Sequence, residues 1–205
     1  SAGILAGIKL PPEAHACSKT TWSIDERSQV SQGAWPEGFL LEPLQRSQPR
    51  RYFDCGQREV NDWLHTKALQ HQDKRLSSTR SLLDRDGRIA GFYTLATGQV
   101  DFGDLPSELA GKLPRRALPV AILAWLGVSL NYQGQKLGDL LLAQALRDCH
   151  EAGQTFAFVA VILDCVDDRA KAFYQRWDFA ELPGSPYRLF LSSQTLAEMM
   201  KQPRR

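Results

Sequence analysis

The stretch "WLGVSLNYQGQKLGDLL", residues 125–141, leads from an apolar run into a polar, glycine-containing turn and then into leucines at helical spacing. The apolar run, residues 117–129, is too continuous to leave one face in water, which predicts a strand at the centre of a sheet. The leucines predict a helix over residues 137–152 with an apolar inner face, ended by Gly153 as its C-terminal cap. A buried strand, a turn and a helix therefore follow one another.

Further strands extend this unit into an α/β fold with a mixed sheet. "FAFVAVILDC", residues 156–165, follows the helix as a second buried strand, and this order predicts a parallel pair joined by a right-handed crossover. Asp86 and Gly87 predict the tight turn of a hairpin between two other strands. "YRLFLS", residues 187–192, is predicted as the last strand.

Three more helices are predicted. The first begins near Gly56, with Asp54 as its cap, and its apolar residues share one face: Val60, Trp63, Leu64 and Ala68. The second covers "DDRAKAFYQRW", residues 167–177, where Ala170, Phe173, Tyr174 and Trp177 have helical spacing. A terminal helix in "TLAEMMKQ" has Thr195 and Glu198 at the spacing of a capping box.

The 205 residues predict one domain with an appendage, because domains usually have about 100–150 residues. Residues 1–42 mix proline, glycine, serine and charge without a sustained period, so they are predicted to form an irregular N-terminal arm. Residues 43–205 are predicted to form the domain.

Composition argues against several classes of protein. The net charge of +2 does not by itself demand a nucleic-acid partner. The cysteines are scattered without a Cys-x-x-Cys pair and His65 and His71 lie on different helix faces, so neither disulfides nor a metal site is expected. The opening "SAGILAGIKLPP" is too short for a membrane span and lacks a basic start, so no export signal is expected.

The turn before the helix over residues 137–152 is suited to bind an anion. Its first backbone N–H groups have no intrahelical acceptors, the helix dipole is positive there, and glycine lets a phosphate approach the main chain. The spacing matches neither the nucleoside-triphosphate loop nor the dinucleotide loop, which argues against both ligands. From the turn alone, an anion site and a plain surface loop are both open.

In its wider context this stretch resembles the GNAT-type N-acetyltransferases, whose acyl-CoA loop reads Gln/Arg-x-x-Gly-x-Gly/Ala. The motif falls on Gln133 to Gly138, with both ends matched and Lys136 in place of the internal glycine. Further segments occur in the order and spacing of the acetyltransferase toxins of bacterial toxin–antitoxin modules: "FDCGQREVNDWL", "STRSLL", "IAGFYTL", "LPVAILAWLGV", "AKAFYQRWDF" and "YRLFL". The resemblance spans residues 40–200 and leaves out the N-terminal arm.

The resemblance implies a GNAT-like mixed sheet flanked by helices and acetyl-CoA as co-substrate. Main-chain N–H groups of the turn would wrap the pyrophosphate, and the edge of the preceding strand would pair with the pantetheine arm. The cofactor-binding residues so implied are Leu126, Gly127, Val128, Gln133, Gly134, Gln135, Lys136, Leu137, Gly138 and Asp139. The amine would attack the thioester where the parallel strands splay apart, and an N–H near Val128 would stabilise the oxyanion. Tyr174 matches the family's catalytic tyrosine and, with an ordinary pKa of about 10, can protonate the departing thiolate.

Three residues depart from the family's pattern. Lys136 replaces a glycine, Trp125 stands where relatives often have arginine, and Asp178 stands before Phe179 where relatives often have glycine. Two interpretations of Lys136 are open. Its ammonium pairs with a CoA phosphate, or its bulk and ordinary backbone preferences close the loop and weaken the site.

The leading functional hypothesis is an N-acetyltransferase toxin that acetylates the α-amine of aminoacyl-tRNA, blocks translation and is neutralised by a small antitoxin protein. The protein is then expected in the cytoplasm and away from membranes, with a homodimer as one possible state. Three basic groups either track an RNA backbone or form solvated faces: Arg46, Arg50 and Arg51; Lys74, Arg75 and Arg80; Lys112, Arg115 and Arg116. The alternatives are an N-acetyltransferase of a small molecule or protein and a catalytically degenerate GNAT fold that acts as a binding module.

Overall fold

The computed structural model describes residues 35–111 and 113–201, which form a seven-stranded mixed sheet flanked by helices. The strands are β1 (Leu40–Pro43), β2 (Ser77–Leu83), β3 (Ile89–Val100), β4 (Leu118–Val128), β5 (Ala160–Asp164), β6 (Ala180–Leu182) and β7 (Ser185–Ser192). The α-helices are α1 (Arg58–Asp62), α2 (Ala68–Asp73), α3 (Ser107–Ala110), α4 (Leu137–Gly153), α5 (Asp168–Gln175) and α6 (Ser193–Lys201). The predicted α/β fold with a mixed sheet is confirmed.

The sheet has the order β1-β2-β3-β4-β5-β7-β6, so the apolar strand β4 lies at its centre, as predicted. Antiparallel β3 pairs with β4 from Leu118 to Val128. Parallel β5 pairs with β4, within residues 113–201, only at Ala121 and Ile122. The predicted parallel pair is therefore present, and the two strands separate toward their carboxyl ends.

The helical segment before β2 has the predicted buried face but a different start and an interruption. A π-helical turn (Trp63–Lys67) separates α1 from α2. The prediction that Asp54 caps the helix is wrong, since the N-terminal cap residue is Gln57. The Asp54 Oδ1 atom instead accepts hydrogen bonds from the Gly56 N–H at 2.8 Å and the Asn61 amide at 2.7 Å. Asp54 thus closes a local turn ahead of the helix.

Other element ends also differ from the predictions. Helix α4 includes Gly153, and Gln154 is its C-terminal cap residue. Helix α6 begins at Ser193, and Ser192 Oγ accepts the Thr195 N–H at 3.0 Å, so the predicted capping box at Thr195 is wrong. Strand β6, which pairs with β7, was not predicted because it has only three residues, two of them exposed.

Residues 1–34 of the predicted N-terminal arm lie outside the described residues, as does Cys17. Strand β1 begins at Leu40, within the predicted arm, and pairs with β2. Trp35 and Phe39 pack against the core formed by α4, α5 and the sheet. Within residues 35–111 and 113–201, no helix is both long and apolar enough to cross a membrane.

Candidate active site

The turn between β4 and α4 lies at the end where β4 separates from β5. It consists of a 3₁₀ turn (Leu130–Tyr132) and four further residues before α4 begins. The Leu130 N–H donates to the Asp54 carbonyl at 2.8 Å. The Tyr132 hydroxyl donates to the Asp84 carboxylate in the loop between β2 and β3. These two contacts fix the turn to the segment before α1 and to the loop between β2 and β3.

Two backbone conformations shape the turn before α4. Gly134 has φ 80°, and Lys136 has φ 59° and ψ 10°, so both lie in the left-handed region. Lysine in this region costs about 1–2 kcal/mol, whereas glycine adopts it freely. The Lys136 carbonyl accepts the N–H groups of Asp139 and Leu140 at 3.1 and 3.2 Å, which starts the helix. The lysine thus holds the conformation that a glycine would favour.

Gln133 anchors the turn through its side chain. Its amide nitrogen donates to the carbonyls of Cys55 at 3.1 Å and Val128 at 3.0 Å. Its Oε1 atom is buried without a hydrogen-bond partner among the described residues. Gln133 therefore ties together the end of β4, the turn and the segment before α1.

The other predicted cofactor-binding residues lie along the end of β4 and the start of α4. Leu126 and Leu137 are buried, so they contribute packing and main-chain groups. A Cβ atom at position 127 would lie 3.0 Å from Val60 Cγ1, which explains why glycine is present there. A Cβ at Gly138 would lie 3.9 Å from both Val128 and Phe173, so α4, β4 and α5 meet at this point. Gln135 is exposed.

Asp139, in the first turn of α4, is directed toward the end of α5. The Trp177 indole N–H donates to its carboxylate at 3.3 Å, and an Arg176 guanidinium nitrogen lies 3.9 Å from the same oxygen. Burial raises the pKa of Asp139, while the Trp177 hydrogen bond and the charges of Arg176 and Lys136 oppose that rise. Its carboxylate joins α4 to α5, and its main-chain N–H is already bonded to Lys136.

Tyr174, the predicted catalytic tyrosine, is fully buried on α5. Its ring packs edge-on against Phe173 and Phe179, with centroids 5.2 and 5.8 Å away. Its hydroxyl has no hydrogen-bond partner among the described residues. Burial raises the pKa of Tyr174 well above its ordinary value, so the hydroxyl stays protonated at neutral pH. The structure therefore provides a protonated donor without a protein acceptor, and its placement is consistent with packing as well as with catalysis.

Two residues that depart from the family's pattern have clear structural settings. Trp125 is buried and stacks on Trp63, with centroids 5.2 Å apart and rings 17° from parallel. Asp178 has φ 62° and follows the end of α5. The Phe179 N–H donates to the Tyr174 carbonyl at 3.4 Å, which is the closing hydrogen bond of a Schellman motif. Asp178 therefore occupies a position where glycine is the usual residue.

The three basic groups differ in their surroundings. Arg46 pairs with Asp73 at 2.5 Å, which joins the first group to the end of α2. Arg80 instead pairs with Asp148 of α4 at 3.2 Å. Arg115 and Arg116 precede the start of β4, at the opposite end of that strand from the turn, and Lys112 lies outside the described residues. The first group therefore adjoins Lys74 and Arg75 of the second, whereas Arg80 pairs with α4 and Arg115 and Arg116 lie at the other end of β4.

A β-bulge in β4 could not be predicted from the sequence. The register of β3 and β4 shifts between Leu123 and Trp125, so Ala124 is the extra residue of a β-bulge. This bulge lies just beyond the last pairing of β4 with β5, and its unpaired backbone is a second candidate to face the reacting carbonyl. The Asp167 side chain accepts the Ala170 N–H at 2.7 Å and caps α5. The sequence places Asp167 or Asp168 near the start of this helix, and the structure identifies Asp167 as the cap.

Known proteins resemble this chain in sequence and in fold. Residues 39–179 match the acetyltransferase (GNAT) family. A tRNA-acetylating toxin of Mycobacterium tuberculosis (strain ATCC 25618 / H37Rv) is 34% identical over 139 residues, which cover 68% of this chain and 82% of that protein. A probable toxin TacT of Sinorhizobium fredii (strain NBRC 101917 / NGR234) is 26% identical over 171 residues, which cover 78% and 94% of the two chains.

Solved structures show the same fold. The crystal structure of a mutant of KacT has a TM-score of 0.75 at 25% identity and covers 80% of this chain and 99% of its own. AtaT complexed with acetyl-methionyl-tRNAfMet has a TM-score of 0.74 at 21% identity, with the same coverage. The resemblance to GNAT-type acetyltransferases, and to the toxins among them, is confirmed, and this chain belongs to the acetyltransferase (GNAT) family.

Proposed function

We propose that this chain is an acetyl-CoA-dependent N-acetyltransferase toxin that acetylates the α-amine of aminoacyl-tRNA and so blocks translation. The observation that carries the proposal is the buried Tyr174 hydroxyl, which stays protonated, has no hydrogen-bond partner among the described residues and lies in the core to which the ends of β4 and β5 contribute. The similarity to a tRNA-acetylating toxin supports the choice of substrate.

The turn before α4 fits the pyrophosphate of acetyl-CoA. The N–H groups of Leu137 and Gly138 precede the first intrahelical hydrogen bond and lie at the positive end of the helix dipole. Gly138 keeps this helix start free of a side chain, and Lys136 retains the glycine-type conformation. These features favour a working cofactor turn over a degenerate one.

The chemistry requires one bond to form and one to break. The lone pair of the acceptor amine attacks the thioester carbonyl, and backbone N–H groups near Val128 or the bulge at Ala124 stabilise the developing oxyanion. The C–S bond then breaks while the Tyr174 hydroxyl passes its proton to the sulfur and the proton lost by the amine moves through water to the tyrosine oxygen. The products are the amide, the CoA thiol and a neutral tyrosine, so the protons balance.

An α-amine suits this site better than a lysine side chain. An α-amine has a pKa of about 8 and is partly neutral at cytoplasmic pH, so it can attack without a strong general base, whereas lysine, with a pKa of about 10.4, is almost fully charged. Aminoacyl-tRNA carries such an amine and places the reaction in the cytoplasm. Because the relatives are named toxins, we also propose a small antitoxin partner, and a homodimer stays a prediction.

The direct test has three measurements. Calorimetry should detect acetyl-CoA binding in the micromolar range, and incubation with acetyl-CoA and aminoacyl-tRNA should yield N-acetylaminoacyl-tRNA. Addition of the protein to a cell-free translation reaction should stop synthesis only when acetyl-CoA is present. No heat and no thermal shift at millimolar acetyl-CoA would rule out the enzyme, since even a weak site stabilises a fold at that concentration.

A further inference from the structure

One exposed surface beside the candidate active site combines an aromatic ring with several cations. Tyr52, in the 3₁₀ turn Arg50–Tyr52, is 88% exposed, the largest exposure among the large apolar side chains described in residues 35–111 and 113–201. We call the group around it the arginine–tyrosine surface and define it by six residues: Arg46, Arg51, Tyr52, Lys67, Lys74 and Arg75.

The surface is drawn together from three segments of the chain. The Arg46–Asp73 ion pair, at 2.5 Å, joins the loop after β1 to the end of α2, directly before Lys74 and Arg75. The amide of Gln72 donates to the Leu44 carbonyl at 2.9 Å and reinforces the same junction. The 3₁₀ turn contacts the π-helical turn that ends at Lys67.

The ring of Tyr52 is presented by an ordered backbone. The Tyr52 N–H donates to the Pro49 carbonyl at 3.2 Å, and the Phe53 N–H donates to the Arg50 carbonyl at 3.1 Å. The Arg50 guanidinium turns inward and donates to the carbonyls of Gln45 and Arg46. A large exposed ring on a fixed turn contributes nothing to the core, and the arginines directly before Tyr52 distinguish it from Phe156, which is also exposed but has no cation beside it in the chain.

The surface also adjoins the cofactor turn. Phe53 follows Tyr52 directly, and its ring lies 3.3 Å from where a Cβ of Gly127 would be. Cys55, whose carbonyl is held by Gln133 at 3.1 Å, is three residues from Tyr52, a reach of at most about 11 Å of extended chain. A ligand stacked on Tyr52 is thus close to the end of β4.

We propose that the arginine–tyrosine surface binds the single-stranded nucleotides that carry the aminoacyl ester, with Tyr52 stacked on a base and the cations on phosphates. This inference rests on the proposed function and adds the place where the RNA is held. Aromatic platforms flanked by cations bind single strands because every base has a flat face and every nucleotide a phosphate. A protein partner would have to supply acidic side chains and a flat apolar group at matching positions, whereas every nucleotide supplies a phosphate and a base together. Arginine and tyrosine also occur at protein interfaces, so antitoxin binding is an outcome of the test.

The test measures RNA binding apart from chemistry. Fluorescence anisotropy with a labelled single-stranded RNA of about eight nucleotides compares the full chain with its variants over a range of salt. Tyr52→Ala should lower the affinity about 5- to 150-fold, while Tyr52→Phe retains the stacking and most of the affinity. Arg51→Gln should reduce the salt slope by about 0.7. Phe156→Ala, at another 78% exposed ring, is the matched control and should bind as the parent does.

Kinetics separate this inference from the proposed function. Tyr52→Ala should lower kcat/KM for aminoacyl-tRNA but leave acetylation of an aminoacyl ester without RNA unchanged. If the parent acetylates aminoacyl-tRNA but Tyr52→Ala binds RNA as tightly as the parent does, the proposed role of the surface is wrong and the proposed function stands. If Tyr52→Ala loses RNA affinity but the parent acetylates no aminoacyl-tRNA, the surface binds RNA as proposed and the proposed function is wrong. Equal losses in Tyr52→Ala and Phe156→Ala, or dependence of antitoxin binding alone on Tyr52, would also overturn the surface.

Discussion

Replacing Tyr174 with phenylalanine removes a single oxygen atom from a fully buried side chain. That oxygen has no hydrogen-bond partner among the described residues, and an unsatisfied buried hydroxyl costs about 1–3 kcal/mol. Because the ring contacts with Phe173 and Phe179 stay, we expect the variant without ligands to gain about 1 kcal/mol in the free energy of unfolding. For a domain of this size the melting temperature should rise by about 2–4 °C.

The same change should slow the reaction. Without the hydroxyl the CoA thiolate has no general acid, so turnover with acetyl-CoA and aminoacyl-tRNA should fall about 100-fold to 1000-fold. The affinity for acetyl-CoA, measured by calorimetry, should change little because the turn before α4 is untouched. A more stable and less active enzyme is the signature of a catalytic group held against the requirements of packing.

Tyr93→Phe is the matched control. Tyr93 is also buried, but its hydroxyl donates to the Asp148 carboxylate at 2.6 Å. Its loss should destabilise the protein by about 1.5–3 kcal/mol, with turnover of the folded enzyme unchanged. Parental turnover in Tyr174→Phe would refute the catalytic assignment and make Tyr174 a packing residue. Loss of stability in Tyr174→Phe would show that its hydroxyl has a partner in solution.

Three further changes test the turn and the helices around it. Glycine and asparagine both suit the left-handed backbone at position 136, so Lys136→Gly and Lys136→Asn remove the charge without straining the turn. If the ammonium contacts a phosphate, calorimetry should show that both variants lose about 1–3 kcal/mol of binding free energy for acetyl-CoA. Tighter binding by Lys136→Gly would refute that contact. Asp167→Ala removes the cap of α5 and should lower the free energy of unfolding by about 0.5–2 kcal/mol in urea titrations. Burial raises the pKa of Asp139, so its charge disfavours folding above that pKa. Unfolding measured against pH should therefore show Asp139→Asn gaining stability relative to the parent as pH rises, and a constant difference would contradict this.

The elements that could be predicted from sequence are those fixed by local hydrophobic pattern. The continuous apolar run of β4 required burial on both faces, and the leucine spacing of α4 required one inner face. The ends and irregularities could not be predicted in the same way, because they depend on tertiary partners. Ser192 caps α6 from the end of β7, and the bulge at Ala124 exists only relative to β3.

In the candidate site, too, local main-chain features could be predicted and contacts between distant segments could not. The motif located the turn, since its main-chain geometry depends on nearby residues. The partners of its side chains could not be predicted: Gln133 binds the carbonyl of Cys55, which is distant in sequence, and Asp139 accepts a hydrogen bond from Trp177 of a different segment. Both side chains bond to protein groups, and this leaves the contact with the cofactor to main-chain N–H groups of the turn, as the resemblance implied.

The backbone conformations of Lys136 and Asp178 explain how these residues can replace glycine. Lys136 and Asp178 both keep positive φ, as Arg75 does at the end of α2, so this chain tolerates ordinary residues where glycine is favoured. The cost is about 1–2 kcal/mol at each position, and the geometry of the turn survives. At the start of α4, a lysine also opposes the helix dipole by about 0.3–1 kcal/mol. The Asp139 carboxylate interacts with the Lys136 charge and offsets part of this cost. A phosphate of acetyl-CoA bound at the same helix start would offset more of it, and the binding measurements on Lys136→Gly and Lys136→Asn decide whether that contact exists.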